Sequence, residues 1–272
     1  MNKIILININ FGTSIILKYY YIFEYLIINK IVDKIFVSID YSVFTYYRGN
    51  NDILYNNYII FLKKLNTYEN IIIEDKYNNS YNNICVTTLS NDYNIPIKFK
   101  IYDNLLINNL NLDYNYITIS TKILGINNSL YQKFKNELIY KLNKTNIKII
   151  ILGEREISEC VEYKIHETYT IYNDLINNLK DYVDLTINDN SNNNDLIPLL
   201  NTFNIYNKSK LNIFIGNGGV SELISYFSNN ILGFTKKDNL LNINNYLHKN
   251  TNNIKIYSNH IDFLDNLVID NI

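Results

Sequence analysis

The stretch LNIFIGNGGVSELISYF, Leu211 to Phe227, decides the fold class. Leu211 to Ile215 is a short apolar run rich in β-branched and aromatic residues. Three of the chain's eight glycines then fall within four positions, at Gly216, Gly218 and Gly219. From Val220 onward the apolar residues recur at helical spacing. Strand, glycine turn and helix follow in that order, and a second apolar run, Ile231 to Phe234, follows the helix. Strands buried on both faces read as unbroken apolar runs, which marks a parallel sheet covered by crossover helices.

Working outward, the same pattern recurs. Tyr116 to Thr121 (YITIST) predicts a strand, followed by a turn through Lys122 and Gly125 and an amphipathic helix from Ser129 to Asn143. Ile147 to Gly153 (IKIIILG) predicts the next strand, ending in Glu154-Arg155-Glu156, with a helix near Ile157 to Lys164. A short apolar stretch at Tyr169 to Tyr172, a helix around Asp174 to Leu179 and a long, mobile loop at 186–195 (TINDNSNNND) lead back to Leu211. The chain closes with strand IKIY, 254–257, and helix IDFLDNLVID, 261–270.

The first half opens similarly. Lys3 to Ile9 (KIILINI) ends at Asn10-Phe11-Gly12 and gives way to a helix from Thr13 to about Lys30, then to a second strand, Lys34 to Asp40. A helix from Asp52 to Asn66 and short strands at Ile71 to Glu74 and Ile84 to Thr88 are expected after it. The mixed segment 91–112, with Pro96, is read as a junction. The expected organisation is α/β, two doubly wound domains, 1–112 and 113–272.

Composition narrows the function. The chain has 272 residues, 47% of them hydrophobic, enough to bury a core. Its formal net charge of -1 and the lack of a basic cluster argue against nucleic-acid binding. Cys85 and Cys160 are far apart beside apolar residues and are read as buried free thiols, not a disulfide or zinc site. His166, His248 and His260 show no metal spacing, and no nucleophile elbow is present. The first apolar run is too short for a membrane span, so a cytoplasmic protein is expected.

Several residues stand where chemistry is done in such folds. In the turn Gly216-Asn217-Gly218-Gly219-Val220-Ser221-Glu222, glycine admits a ligand close to the backbone, and amides at a helix start favour a phosphate. The alternative is a tight connection needing glycine for packing, with Ser221 and Glu222 as caps. Glu154 and Arg155 follow a strand's carboxyl end, where α/β sheets bind ligands, though the arginine could equally pair internally. Lys122 lies at a corresponding end and offers a cation, or a solvated loop charge. Asn10, Gly12 and Thr13 form the analogous first-half turn, with the Thr13 hydroxyl available as a helix cap. Arg48, one of two arginines, stands beside Gly49 and could meet an acidic acceptor.

Taken together, FGTSIIL, STK, IIILGERE and IGNGGVSELISYFSNNILGF resemble the GT-B glycosyltransferases, in particular the heptosyltransferase-like families. The resemblance spans most of the chain and is strongest in the second half. It implies two facing Rossmann-like domains, with the acceptor side, and so Asn10, Gly12, Thr13 and Arg48, in the first. It implies a nucleotide-diphosphate sugar as co-substrate, no bound cofactor, a metal-independent transfer to a glycan or other hydroxyl acceptor, and a role in glycan biosynthesis. Lys122 would contact the donor phosphates, Glu154 would lie near the nucleoside, and Gly216, Gly218, Gly219 and Val220 would form the diphosphate turn. The family's acidic base after the first strand has no counterpart at Asn10 to Thr13, and its histidine is missing at Val220-Ser221-Glu222. Asp40, ending the second strand, is the candidate base. Two alternatives follow: a noncatalytic binding protein on a degenerate GT-B fold, or a nucleotide-sugar epimerase.

Overall fold

The computed structural model describes residues 3–10, 12–48, 52–97, 112, 114–155, 167–186, 197–216, 223, 224, 227, 228, 230–237 and 253–267. Among them, the residues up to 97 form one compact unit and those from 112 onward a second. The 112/113 boundary expected from the sequence falls in a stretch, 98–113, of which only 112 is described.

In the first unit the elements run β1 (Ile4–Ile9), α1 (Thr13–Ile28), β2 (Lys34–Ile39), α2 (Tyr41–Arg48), α3 (Asp52–Leu65), β3 (Ile71–Ile73), β4 (Asn82–Asn83) and α4 (Val86–Asp92). The strands pair in the order β3-β2-β1-β4, all parallel. Helix α1 buries Ile16, Tyr19, Tyr20 and Phe23 completely, the i, i+3, i+4, i+7 stripe of a helix laid on a sheet. Each such side chain contributes about 1.5–3 kcal/mol on leaving water. Asn8, buried in β1, is accommodated because its amide donates to Asn78 O, Tyr81 O and Asn83 Oδ1 at 2.8 to 3.1 Å, while Ser38 Oγ donates to its carbonyl.

Three expectations are corrected here. Ile84 to Thr88 is not a strand: β4 ends at Asn83, and the chain enters α4 from Cys85, whose carbonyl accepts from Leu89 N at 3.0 Å. The β-branched run suggested extension, but burial of Leu89 fixes a helical turn. Second, Cys85 is exposed, not buried; the hydroxyls of Thr87 and Thr88, at 3.1 and 2.9 Å, hold its thiol down to about 7. Third, β1 is not covered on both faces, since Ile4 is 50% and Leu6 38% exposed.

The second unit contains β5 (Tyr116–Ser120), β6 (Lys122–Ile123), α5 (Asn128–Lys144), β7 (Lys148–Leu152), β8 (Tyr169–Thr170), α6 (Tyr172–Asn178), β9 (Tyr182–Asp184), α7 (Ile197–Lys208), β10 (Asn212–Ile215), β11 (Asn230–Phe234), β12 (Asn253–Tyr257) and α8 (His260–Asp265). Six strands form one parallel sheet in the order β12-β11-β10-β5-β7-β9. Numbered from its own first strand this is 6-5-4-1-2-3, the doubly wound order of a dinucleotide-binding fold. A separate antiparallel ribbon pairs β6 with β8.

One face of this sheet, with Ile117, Ile119, Ile149, Ile151, Ile213 and Phe234, packs in a single apolar cluster with α5, α6 and α8. Helix α5 begins at a side-chain cap, Asn127 accepting from Ser129 N at 2.7 Å, and buries Tyr131, Phe134, Leu138 and Leu142. The opposite face carries a buried polar chain: Thr118 Oγ1 donates to Asn212 Oδ1 at 2.5 Å, and Asn212 Nδ2 donates to Tyr206 O at 2.9 Å and to Ser228 Oγ at 2.5 Å. Every member has a partner, so these polar residues are tolerated within buried strands. Leu223, Ile224 and Phe227, which follow β10 and precede β11 in the chain, are helical and buried, as the spacing of apolar residues from Val220 onward predicts. The expected helix at 157–164, the loop at 187–195 and the turn residues 217–222 lie outside the described residues.

Candidate nucleotide site at the switch point

In a doubly wound sheet the crevice opens where successive strands depart in opposite directions. Here that point lies between β5 and β10, adjacent in the sheet and pointing the same way. Thr121 and Lys122 leave the end of β5, and Gly216 leaves the end of β10. Gly153, Glu154 and Arg155 leave β7 on the other side of β5. The second unit therefore gathers four of the residues singled out in the sequence, Lys122, Glu154, Arg155 and Gly216, along one edge of one sheet.

Lys122 and Glu154, 32 positions apart, form an ion pair with Nζ to Oε1 at 3.2 Å and side chains 15% and 17% exposed. A pair so sheltered is worth more than a surface contact only when its remaining polar valences are filled. Each partner makes further interactions.

Arg155 resolves in favour of internal pairing. Its Nε donates to Thr186 Oγ1 at 2.8 Å, and its Nη2 meets Asp184 Oδ2 at 3.0 Å. The guanidinium lies over the ring of Tyr172, 5.4 Å from its centroid, and Tyr172 OH donates to Asp184 Oδ2 at 2.8 Å. Burial pushes the Asp184 carboxyl up, but the bonds from Thr186 and Tyr172 and the charge of Arg155 outweigh it, leaving the pKa below the ordinary value.

Gly216 has φ 91°, and a Cβ there would stand 2.5 Å from Leu124 O and 2.7 Å from Leu124 N. Close backbone packing therefore suffices to require glycine at this position. Gly153 has φ 110°, and a Cβ would meet Thr121 Oγ1 at 2.6 Å. Asn217, Gly218, Gly219, Val220, Ser221 and Glu222 lie outside the described residues.

The remaining candidates belong to the first unit. Asp40 N donates to Ile9 O at 2.9 Å, which brings Asp40 beside the end of β1 and Asn10. Asp40 is 2% exposed, and its Oδ1 accepts from Ser42 N, Ser42 Oγ and Val43 N at 2.9, 2.6 and 3.2 Å. It therefore caps α2. Burial, followed by the charge of Asp40, pushes the nearby Tyr55 hydroxyl up to about 12. The N-cap of α1 falls on Gly12, φ 110°, and Thr13 is the first residue of the helix. Arg48 is the last residue of α2.

Sequence reasoning missed Thr121, Thr170, Tyr172, Asp184 and Thr186, whose contacts arise only once β7, β8 and β9 are assembled. It also missed Ser120 and Thr235, at the ends of β5 and β11, whose buried hydroxyls have no hydrogen-bond partner among the described residues. Among the described residues no group of three or more His, Cys, Asp or Glu could hold a metal ion, and no helix is long and apolar enough to cross a membrane.

No protein-family model matches the chain, and no curated protein matches it. Among solved structures, the chain is similar to the dodecameric iron-containing heptosyltransferase TibC in complex with ADP-D-beta-D-heptose, with a TM-score of 0.48 and 10% identity over 86% of this chain and 59% of that one. A second structure, of the iron-containing dodecameric glycosyltransferase TibC from enterotoxigenic E.coli H10407, gives a TM-score of 0.47 and 12% identity over the same shares. The chain thus spans 59% of the length of the solved proteins it matches.

Proposed function

We propose that this chain is a glycosyltransferase that takes a sugar from a nucleotide-diphosphate donor bound at the switch point of the second unit. The strand order is the observation that carries this reading, since it makes the ends of β5 and β10 the lips of the crevice where such sheets bind nucleotides. Lys122 supplies the cation for the diphosphate. Glu154, just past the second strand in sheet order, stands where an acidic residue accepts the ribose hydroxyls in such folds. The buried hydroxyls of Ser120 and Thr235, which have no hydrogen-bond partner among the described residues, are further polar groups at the same edge.

In the proposed reaction the acceptor hydroxyl gives its proton to a base while its oxygen attacks the anomeric carbon. The bond from that carbon to the diphosphate breaks, and the diphosphate leaves with the electron pair. Lys122 offsets the developing charge, a task that needs no metal. The acceptor side belongs in this reading to the first unit, with Asn10, Gly12, Thr13 and Arg48 near it, and Asp40 takes the proton.

The cap that Asp40 makes favours a second reading, a noncatalytic nucleotide-binding protein. One assay separates them: release of nucleoside diphosphate from a panel of nucleotide-sugars, with and without hydroxyl acceptors. Acceptor-dependent release supports transfer, whereas binding without release supports the second reading. Conversion of the sugar with no acceptor would point to an epimerase. Asp40→Asn preserves a capping oxygen, so it is expected to fold and to lose turnover at least about a hundredfold if Asp40 is the base. Full turnover would remove Asp40 from the mechanism.

A further inference from the structure

Three chain segments meet at one carbonyl oxygen, that of Glu154. Thr121 Oγ1 donates to it at 2.7 Å and Thr170 Oγ1 at 3.1 Å. Thr170 Oγ1 in turn accepts from Tyr172 N at 3.1 Å, so its hydroxyl proton is committed to Glu154. Thr121 is fully buried and held on both sides, its N donating to Leu152 O and its O accepting from Ile171 N, each at 2.9 Å. The next residue, Lys122, lies opposite Thr170 in the β6–β8 ribbon. Gly153 lacks a Cβ at the spot the Thr121 hydroxyl approaches.

A salt bridge alone does not call for this arrangement. A carbonyl at a strand end is satisfied by one donor or by water. Here two threonine hydroxyls from separate segments, one in a ribbon outside the main sheet, converge on the residue whose carboxylate faces Lys122. Both members of the ion pair are thereby tied to the same small frame: Lys122 follows Thr121 in the chain and faces Thr170, and Glu154 carries the clamped oxygen.

We propose that Thr121 and Thr170 are positioning residues that fix the Glu154 carboxylate against Lys122, presetting the pair for a ligand with a phosphate for the ammonium and hydroxyls for the carboxylate. The proposal rests on the nucleotide site described above for its ligand, but not for its geometry. Preorganised polar groups bind more tightly because less ordering remains to be done on binding.

The test uses Thr170→Val and Thr170→Ser in the full chain, leaving Thr121 in place so that Glu154 O keeps one donor. Crystal structures of the two variants read the geometry without ligand. The Lys122 to Glu154 separation is expected to open beyond 4 Å in Thr170→Val and to stay short in Thr170→Ser; a short pair in both overturns the clamp. Calorimetric titration with ADP, GDP and UDP reads its consequence. Affinity for whichever nucleotide binds is expected to fall about fivefold to tenfold in Thr170→Val, the weight of one hydrogen bond, and to recover in Thr170→Ser. In a Glu154→Gln background, Thr170→Val is expected to have less effect, because Thr170 acts through Glu154. An undiminished additive loss there assigns Thr170 a merely structural role and overturns the proposal. If the wild-type chain binds none of the three, the nucleotide site fails and the clamp stands or falls on the crystal geometry alone.

Discussion

Two glycines with the same φ of 110°, Gly12 and Gly153, separate backbone strain from steric conflict. Among the described residues an added Cβ at Gly12 meets nothing closer than Ile15 Cδ1 at 3.7 Å, so alanine there carries the conformational cost alone. At Gly153 it also runs into Thr121 Oγ1 at 2.6 Å and threatens that hydroxyl's bond to Glu154 O. Each substitution is expected to destabilise its unit by about 1–3 kcal/mol through strain, with Gly153→Ala the more costly. Urea unfolding followed by tyrosine fluorescence, with the two units' transitions assigned separately, measures the difference. Equal losses would mean that the Thr121 hydroxyl moves aside freely. The importance of a glycine after β7 was visible in IIILGERE, but its cause was not. It depends on Thr121, 32 positions before Gly153, reaching the turn through strand pairing.

At the scale of elements, legibility followed burial. Strands β7, β10 and β11 were readable because a buried parallel strand leaves a largely apolar run, and β5 because Ile117 and Ile119 alternate with Thr118 and Ser120. Strand β9, Tyr182–Asp184, has only three residues and a polar end, and α7 is diluted by asparagines, so neither carried a periodic signal. Pro198 is the second residue of α7, within the first turn, where its missing N–H costs no intrahelical bond. The site divides along the same line. Lys122 and Glu154 were legible from their places at strand ends, whereas the partners of Arg155 were hidden until β9 lay beside β7. That edge also gives a prediction in pH. The folded-state pKa of Asp184 is depressed, so its contribution to stability is fully present above its unfolded value of about 3.9 and is lost as pH falls through the lower folded value. Asp184→Asn is therefore expected to be less stable than wild type at pH 7, by a margin that is level down to about pH 4 and closes below it. Denaturant midpoints from pH 2.5 to 7 test this, and a margin independent of pH would show that the carboxylate charge is not what Arg155 and Tyr172 stabilise.

At the scale of the molecule, each unit follows doubly wound logic with a different emphasis. The first orders its strands 3-2-1-4 and directs β1, β2 and β4 toward Asn10, Asp40 and Cys85. The second completes the six-strand order and directs its ends toward Lys122, Glu154 and Gly216. The GT-B resemblance is an expectation from the sequence, and the placing of a donor in the second unit belongs to the proposal. The nucleotide-sugar, the acceptor and the transfer itself are the functional reading built on it. A ligand that binds only the folded chain raises apparent stability with the logarithm of its concentration once that exceeds Kd, so nucleotide binding is also open to thermal shift.

The most direct measurement is calorimetric titration of the wild-type chain and of Lys122→Met with ADP, GDP, UDP and their sugar conjugates. Lys122→Met keeps most of the length of the side chain and removes its charge. At least one nucleotide is expected to bind the wild-type chain, and Lys122→Met is expected to weaken it about tenfold or more, the scale of a charged hydrogen bond. No binding to wild type at millimolar ligand, or equal binding to both chains, would contradict the assignment of the switch point as a nucleotide site.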